Sequence, residues 1–283
     1  MFLTIKRLSL LTLSTLLLSA CFGEKPTSEQ LCKDHTGLQC NQLNMQDGQC
    51  RTQRDTLILS RFDSLKSNSD LDKLNTIKAT HEYQVCLTSA AQIEPITAKE
   101  VKSKRSEALL HTYDAIDALS LELQDSKEPK VLFYRWVSGD KTALREFLQL
   151  EGTKELESTE LQYALATFYT QRDGNKTILI LNHSLEILTE QDYKNGIHAV
   201  VIESLASLNH KEGNKEYAYI WALVGKGFEL QVASEKQLDL LYQFTDEEKE
   251  RLSKISDTIQ ESIETQTFAS SLLPIATLPS TTL

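Results

Sequence analysis

FYRWVSGDKTALREFL (133–148), FYTQRDGNKTILILNHSLEIL (168–188) and SLNHKEGNKEYAYIWALVGKG (207–227) each set Gly-x-Lys between two runs of helical periodicity, at Gly139, Gly174 and Gly213. The glycines are 35 and 39 residues apart, and Phe133-Tyr134 recurs as Phe168-Tyr169 at the same 35-residue step. Glycine suits the left-handed residue that closes a helix, and the polar residue beside it can cap the next one. Working outward, the same punctuation recurs. Thr97-Ala-Lys-Glu100, Ser234-Glu-Lys-Gln237 and Thr245-Asp-Glu-Glu248 have capping-box form, in which side chains at both ends of the first turn satisfy backbone N–H groups. Pro129 suits a first helical turn, where its missing N–H is no loss. Helices are expected over about 56–67, 70–93, 97–124 and 245–265. No alternating Val/Ile/Thr hairpin occurs, so the expected fold class is all-α.

A helix–turn–helix unit repeating every 34–40 residues over about 130–230 resembles tetratricopeptide-type solenoids. The resemblance implies antiparallel helical hairpins stacked into a short array whose concave side takes a protein or peptide. A plain helical bundle with Gly-Asn-Lys and Gly-Asp-Lys turns satisfies the same letters.

At the other end of the chain, Lys6 and Arg7 precede the apolar run Leu8–Ala20. Thirteen helical residues reach roughly 20 Å, short of a hydrocarbon core of about 30 Å, which reads as a signal peptide. The run ends in Leu18-Ser19-Ala20-Cys21, which resembles the lipobox of bacterial lipoproteins. That resemblance implies cleavage before Cys21, a diacylglyceryl group on its sulfur and fatty acyl (palmitate-type) chains as the membrane anchor. Phe22, where the inner-membrane retention signal would place Asp, implies the outer membrane. Several acyl chains make such anchoring effectively permanent.

Five cysteines are present. With Cys21 acylated, Cys32, Cys40, Cys50 and Cys86 remain, an even number suited to an oxidising compartment. Four cysteines allow three pairings. If 51–66 and 70–93 form a hairpin turning near Asn68, residues 50 and 86 lie side by side at its open end. The expected bridges are therefore Cys50–Cys86 and a local Cys32–Cys40. The stretch 31–50 has little apolar content, so its order is expected to come from the bridges. The lipobox together with LCKDHTGLQCNQLNMQDGQCR (31–51) and a helical body also resembles an uncharacterised Gram-negative lipoprotein family, a domain of unknown function, which implies no activity.

The expected organisation is a signal peptide (1–20), a flexible tether (21–30), a cysteine-containing hairpin region (31–95), a helical repeat domain (96–266) and a mobile tail (267–283). Removing residues 1–20 leaves 28 Lys+Arg against 40 Asp+Glu, a formal charge of −12, and no basic patch is large enough for a nucleic acid.

No Gly-x-Ser-x-Gly elbow, His-Glu-x-x-His pair, phosphate loop or dinucleotide fingerprint occurs; those motifs place nucleophiles, metal ligands or phosphates. In His81, Glu82 and Cys86, the His and Cys are five residues apart and do not share a helical face well, and an oxidising compartment favours a bridged Cys86, so the group reads as a histidine beside a bridge and not as a metal site. His183 and His198 could meet across a helix pair but read as packing. The carboxylates Asp246, Glu247 and Glu248 suit a helix N-terminus. No cofactor or metal is expected. The aromatic residues Tyr134, Trp136, Tyr169, Tyr217, Tyr219 and Trp221 cluster in the repeats, and Tyr134, Trp136, Tyr169, Tyr217 and Trp221 are the expected partner-binding residues on a concave face. The function expected is that of a non-catalytic, periplasm-facing, lipid-anchored scaffold or accessory factor for an envelope protein or peptide. The alternatives are a cell-wall or glycan hydrolase, which needs two carboxylates facing each other across a cleft, and a purely structural envelope protein.

Overall fold

The computed structural model describes residues 26–94 and 99–274. Among them there is no strand, and they form two compact units, residues 26–68 with the described part of 78–114, and residues 69–77 with 115–274. The expected boundary at 95/96 is therefore displaced. The helices α3 (Asp70–Ala90) and α4 (Lys99–Glu122) each supply residues to both units. Cys21 and Thr97 lie outside the described residues.

The first unit begins inside the expected tether. Thr27 and Gln30 form a capping box that starts α1 (Ser28–Asp34), so residues 28–30 are helical. Cys32 is bonded to Cys40 and Cys50 to Cys86, with Cα separations of 5.8 and 5.7 Å. The larger bridge closes a separation of 36 residues, worth about 3–4 kcal/mol on the chain-entropy account. It ties Cys50, at the start of α2 (Arg51–Ser67), to α3, and the α2–α3 connection turns through left-handed Asn68 (φ 51).

The bridges are not the only source of order in 31–50. Leu31, Leu38 and Leu43 are buried with Leu57, Ile58, Tyr83 and Leu87. The polar backbone between them is held from α2: the Arg54 guanidinium donates to the carbonyls of Asn44 (2.5 Å) and Asp47 (2.8 Å), and Arg61 donates to that of Leu38 (2.8 Å). A loop poor in apolar residues is thereby ordered by the arginines of a neighbouring helix, which supply donors for its buried carbonyls.

The second unit is a succession of helix pairs. Helices α5 (Pro129–Val137) and α6 (Lys141–Gln149) form the first pair, α7 (Thr159–Tyr169) and α8 (Gly174–Glu186) the second, and α10 (Ile197–Lys211) and α11 (Lys215–Gly227) the third. A short α9 (Glu190–Lys194) connects the second pair to the third, and α12 (Glu235–Leu241) and α13 (Asp246–Glu264) follow. The expected caps are formed at Pro129, Ser234/Gln237 and Thr245/Glu248. α5 packs on α7, α8 on α10 and α11 on α13. One cluster centres on Leu132, Phe147, Leu161 and Leu165, and a larger one on Leu185, Ile202, Leu205, Trp221, Ile259 and Phe268.

The three Gly-x-Lys turns differ in register. Gly139 (φ 103) and Gly213 (φ 79) are the left-handed residues between helices, followed by caps at Asp140 and Asn214. Gly174 is instead the first residue of α8, capped by Asp173, with the movable carboxylate end of Glu212 lying where a Cβ would stand. Phe133-Tyr134 lies within α5, whereas Phe168-Tyr169 ends α7. The 35-residue match in letters is therefore not a match in structural position.

Part of the expected mobile tail is packed. Phe268 is 4% exposed, its ring centroid 5.8 Å from that of Trp221 with the planes tilted by 58°. The Ser270 amide donates to Glu186 Oε1 (2.8 Å), and Tyr217 Oη donates to the Pro274 carbonyl (2.6 Å). Residues 267–274 close the large cluster, and residues 275–283 lie outside the described set. His183 touches the same corner through Glu157 (2.9 Å) and Glu186 (3.4 Å). Burial opposes its charged form, but the two carboxylates outweigh that and raise its pKa. His198 stacks instead on Tyr193 at 4.4 Å.

Candidate functional site

The second unit contains a cleft of about 370 Å³ walled by α7 and α10 and floored by Thr177 and Leu181 of α8. Helix α7 presents Tyr163, Ala166, Thr167 and Thr170 to it, at i, i+3, i+4 and i+7; α10 presents Val200, Glu203, Ser204, Ser207 and Lys211, in the same periodicity. That spacing puts each set on one face of its helix. Both are the first helices of consecutive pairs, and α10 packs on α8 as well as on its own partner α11 while touching α7.

The chemistry of the walls is specific. Thr167 Oγ1 donates to the Ala164 carbonyl (2.7 Å), Thr170 to that of Ala166 (3.0 Å), Thr177 to that of Asp173 (2.8 Å) and Ser204 to that of Val200 (2.7 Å). These four hydroxyl hydrogens are used locally; Thr177 is fully buried, and the accessible oxygens of Thr167, Thr170 and Ser204 keep lone pairs as acceptors. Glu203 and Lys211 are the charged side chains of the lining. The site is therefore an acceptor-rich, partly apolar trough with one negative and one positive group.

The sequence-expected aromatic residues lie elsewhere. Trp221 is 0% exposed in the large cluster and Tyr219 is buried beside it, so Trp221 is corrected from a partner-binding residue to a core residue. It sits on the inner face of α11, covered by α13 and the packed tail. Tyr134 packs on the Leu74, Ile77, Leu123 and Val131 cluster, with its hydroxyl 3.2 Å from Ser120 Oγ. Trp136 is half-buried among Phe133, Phe147 and Phe168, at ring-centroid distances of 5.5, 5.8 and 6.1 Å. Tyr169 donates to Glu151 (2.7 Å) and carries Lys176 Nζ 3.9 Å above its ring. Tyr217 holds Pro274. None of these six residues lines the cleft. The pattern that marks the cleft in the sequence is the repeated small and hydroxyl-bearing position at helical spacing along 163–170 and 200–211.

A second cleft, of about 290 Å³, lies in the first unit between residues 40–46 and the α4 side chains Lys104, Glu107 and His111. Each cleft is lined by a single carboxylate, Glu203 or Glu107. Among the described residues, the carboxylates displaced from their ordinary range are all lowered. Arg105 hydrogen bonding does this for Asp47, and at Glu151 burial is outweighed by Lys176 and Tyr169. No group of three or more His, Cys, Asp or Glu among the described residues is placed to hold a metal ion. His81 is exposed beside Gln84, and Cys86 is in its bridge. No described helix is long and apolar enough to cross a membrane.

No curated protein and no solved structure shows a significant match to the chain. Comparison with family models matches residues 18–223 to the family described as "Protein of unknown function (DUF2989)". The match spans most of the chain, and the chain belongs to that family.

Proposed function

We propose that this protein is a non-catalytic periplasmic scaffold, lipid-anchored in the outer membrane through Cys21, whose tetratricopeptide-like helix pairs bind a peptide segment of an envelope partner. The anchoring part rests on the Leu18–Cys21 lipobox and Phe22. Mass spectrometry of the protein purified from its native membrane is expected to show a mature chain starting at an acylated Cys21; an unmodified Cys21 with the leader attached would refute it.

The binding part rests on one observation, the trough between α7 and α10. Extended peptides present a row of N–H donors, and the trough presents hydroxyl oxygens whose own hydrogens are already committed, with Tyr163, Val200 and Leu181 for apolar side chains. Its volume lies within the range of binding pockets. The test is selection of displayed peptides against the full mature chain, followed by amide-shift mapping of the winners. The expected shifts fall on Ala166, Thr170, Ser204 and Ser207. Ser204→Trp, which fills the trough, is expected to reduce affinity at least tenfold without lowering Tm. Peptides that map elsewhere, or affinity unchanged by Ser204→Trp, would refute the assignment of the trough.

A further inference from the structure

The trough's charges say what kind of segment suits it. We infer that it selects an extended peptide carrying one basic and one acidic side chain separated by about three to four residues, an inference that rests on the peptide-binding reading above. Glu203 and Lys211 are eight positions apart on the trough-facing side of α10. At 1.5 Å per residue their backbones are separated by about 12 Å. An extended chain covers that distance in about three to four residues at roughly 3.3 Å each.

Between the two charges the wall is neutral, with Ser204 and Ser207 on α10 and Thr167 and Thr170 across the cleft on α7. A basic side chain is therefore accommodated at the Glu203 end and an acidic one at the Lys211 end. Neither Glu203 nor Lys211 forms a salt bridge among the described residues. A segment with two like charges satisfies one end and meets repulsion at the other, and a neutral segment gains at neither. Electrostatic complementarity of this kind acts more on choice of partner than on raw affinity. Each partly exposed pair is worth about a two- to fivefold change in affinity.

The experiment uses the full mature chain and four fluorescein-labelled hexapeptides that differ at two positions three residues apart: Lys/Glu, Lys/Lys, Glu/Glu and Gln/Gln. The native protein is expected to bind Lys/Glu roughly five- to twentyfold more tightly than Gln/Gln, with both like-charged peptides weaker than Lys/Glu. Glu203→Lys is expected to move the preference to Glu/Glu, and Lys211→Glu to Lys/Lys. The double exchange is expected to favour a fifth peptide of reversed order, Glu/Lys, over Lys/Glu. Glu203 is half-buried and Lys211 exposed, and circular dichroism checks that each variant is folded. Equal affinity for all four peptides, or preferences unmoved by the exchanges, would overturn the inference while leaving peptide binding in place. Absence of any binding sensitive to Ser204→Trp would overturn both.

Discussion

Replacing Arg105 with methionine is expected to destabilise the first unit by about 3–5 kcal/mol, because it leaves a buried carboxylate without its partner. The Arg105 and Asp47 side chains are 7% and 9% exposed. The guanidinium donates to Asp47 Oδ2 at 2.5 Å and Oδ1 at 3.2 Å, and to the Ala90 carbonyl at 2.9 Å. One side chain of α4 thereby holds both the loop after the small disulfide and the end of α3. The double variant Asp47→Leu/Arg105→Met removes both charges and is expected to recover part of the loss, since an ion pair is more costly to break than to replace. Asp47 also accepts from Asn44 Nδ2 and the Gln49 amide, so recovery is incomplete.

The pH dependence has a definite sign. The hydrogen bond from Arg105 lowers the Asp47 pKa from its ordinary value of 3.8. Its stabilisation is therefore fully present above that value and is lost as pH falls through the lower, folded-state value. The gap between native protein and Arg105→Met is expected to narrow as pH drops from neutral to below 4. Urea unfolding at several pH values measures this, and a gap under 1 kcal/mol at pH 7, or one that widens in acid, would refute the account.

Trp221→Ala is expected to cost about 3–5 kcal/mol, the usual range for emptying a fully buried aromatic site. Trp221→Phe is expected to stay within about 1–1.5 kcal/mol of the native protein. The indole Nε1 is buried with no hydrogen-bond partner among the described residues, and phenylalanine removes that donor while keeping most of the apolar contact with Phe268. The contrast separates the two roles considered for this residue. A partner-binding tryptophan would lose affinity on either substitution with Tm preserved, whereas a core residue shows a large drop in Tm for alanine and a small one for phenylalanine.

What could be read from the letters follows how local each feature is. Caps are written within four residues, and Ser234/Gln237, Thr245/Glu248 and Pro129 occupy the positions their sequences call for. The hairpin turning at Asn68 likewise places residues 50 and 86 together from counting alone, and the structure holds that bridge. Burial of Leu31, Leu38 and Leu43 was not legible, because their cover comes from Leu57, Tyr83 and Leu87, remote in the chain. Phe268 looked like tail for the same reason, its partner Trp221 lying on α11. The trough is not legible in the sequence because its lining consists of small and hydroxyl-bearing residues that carry no binding motif. In these tightly paired helices the large rings are drawn into the core, and small hydroxyl side chains are left facing the gap.

The cluster of Leu74, Ile77, Leu123 and Val131 bears on how the chain is made. At roughly 5–20 residues per second, the ribosome delivers Val131 about 3–12 s after Leu74. During that interval two apolar side chains of a nascent helix wait without their cover. No single proteolytic cut or contiguous expression fragment can liberate one unit whole, since residues 69–77 interrupt the first and belong to the second.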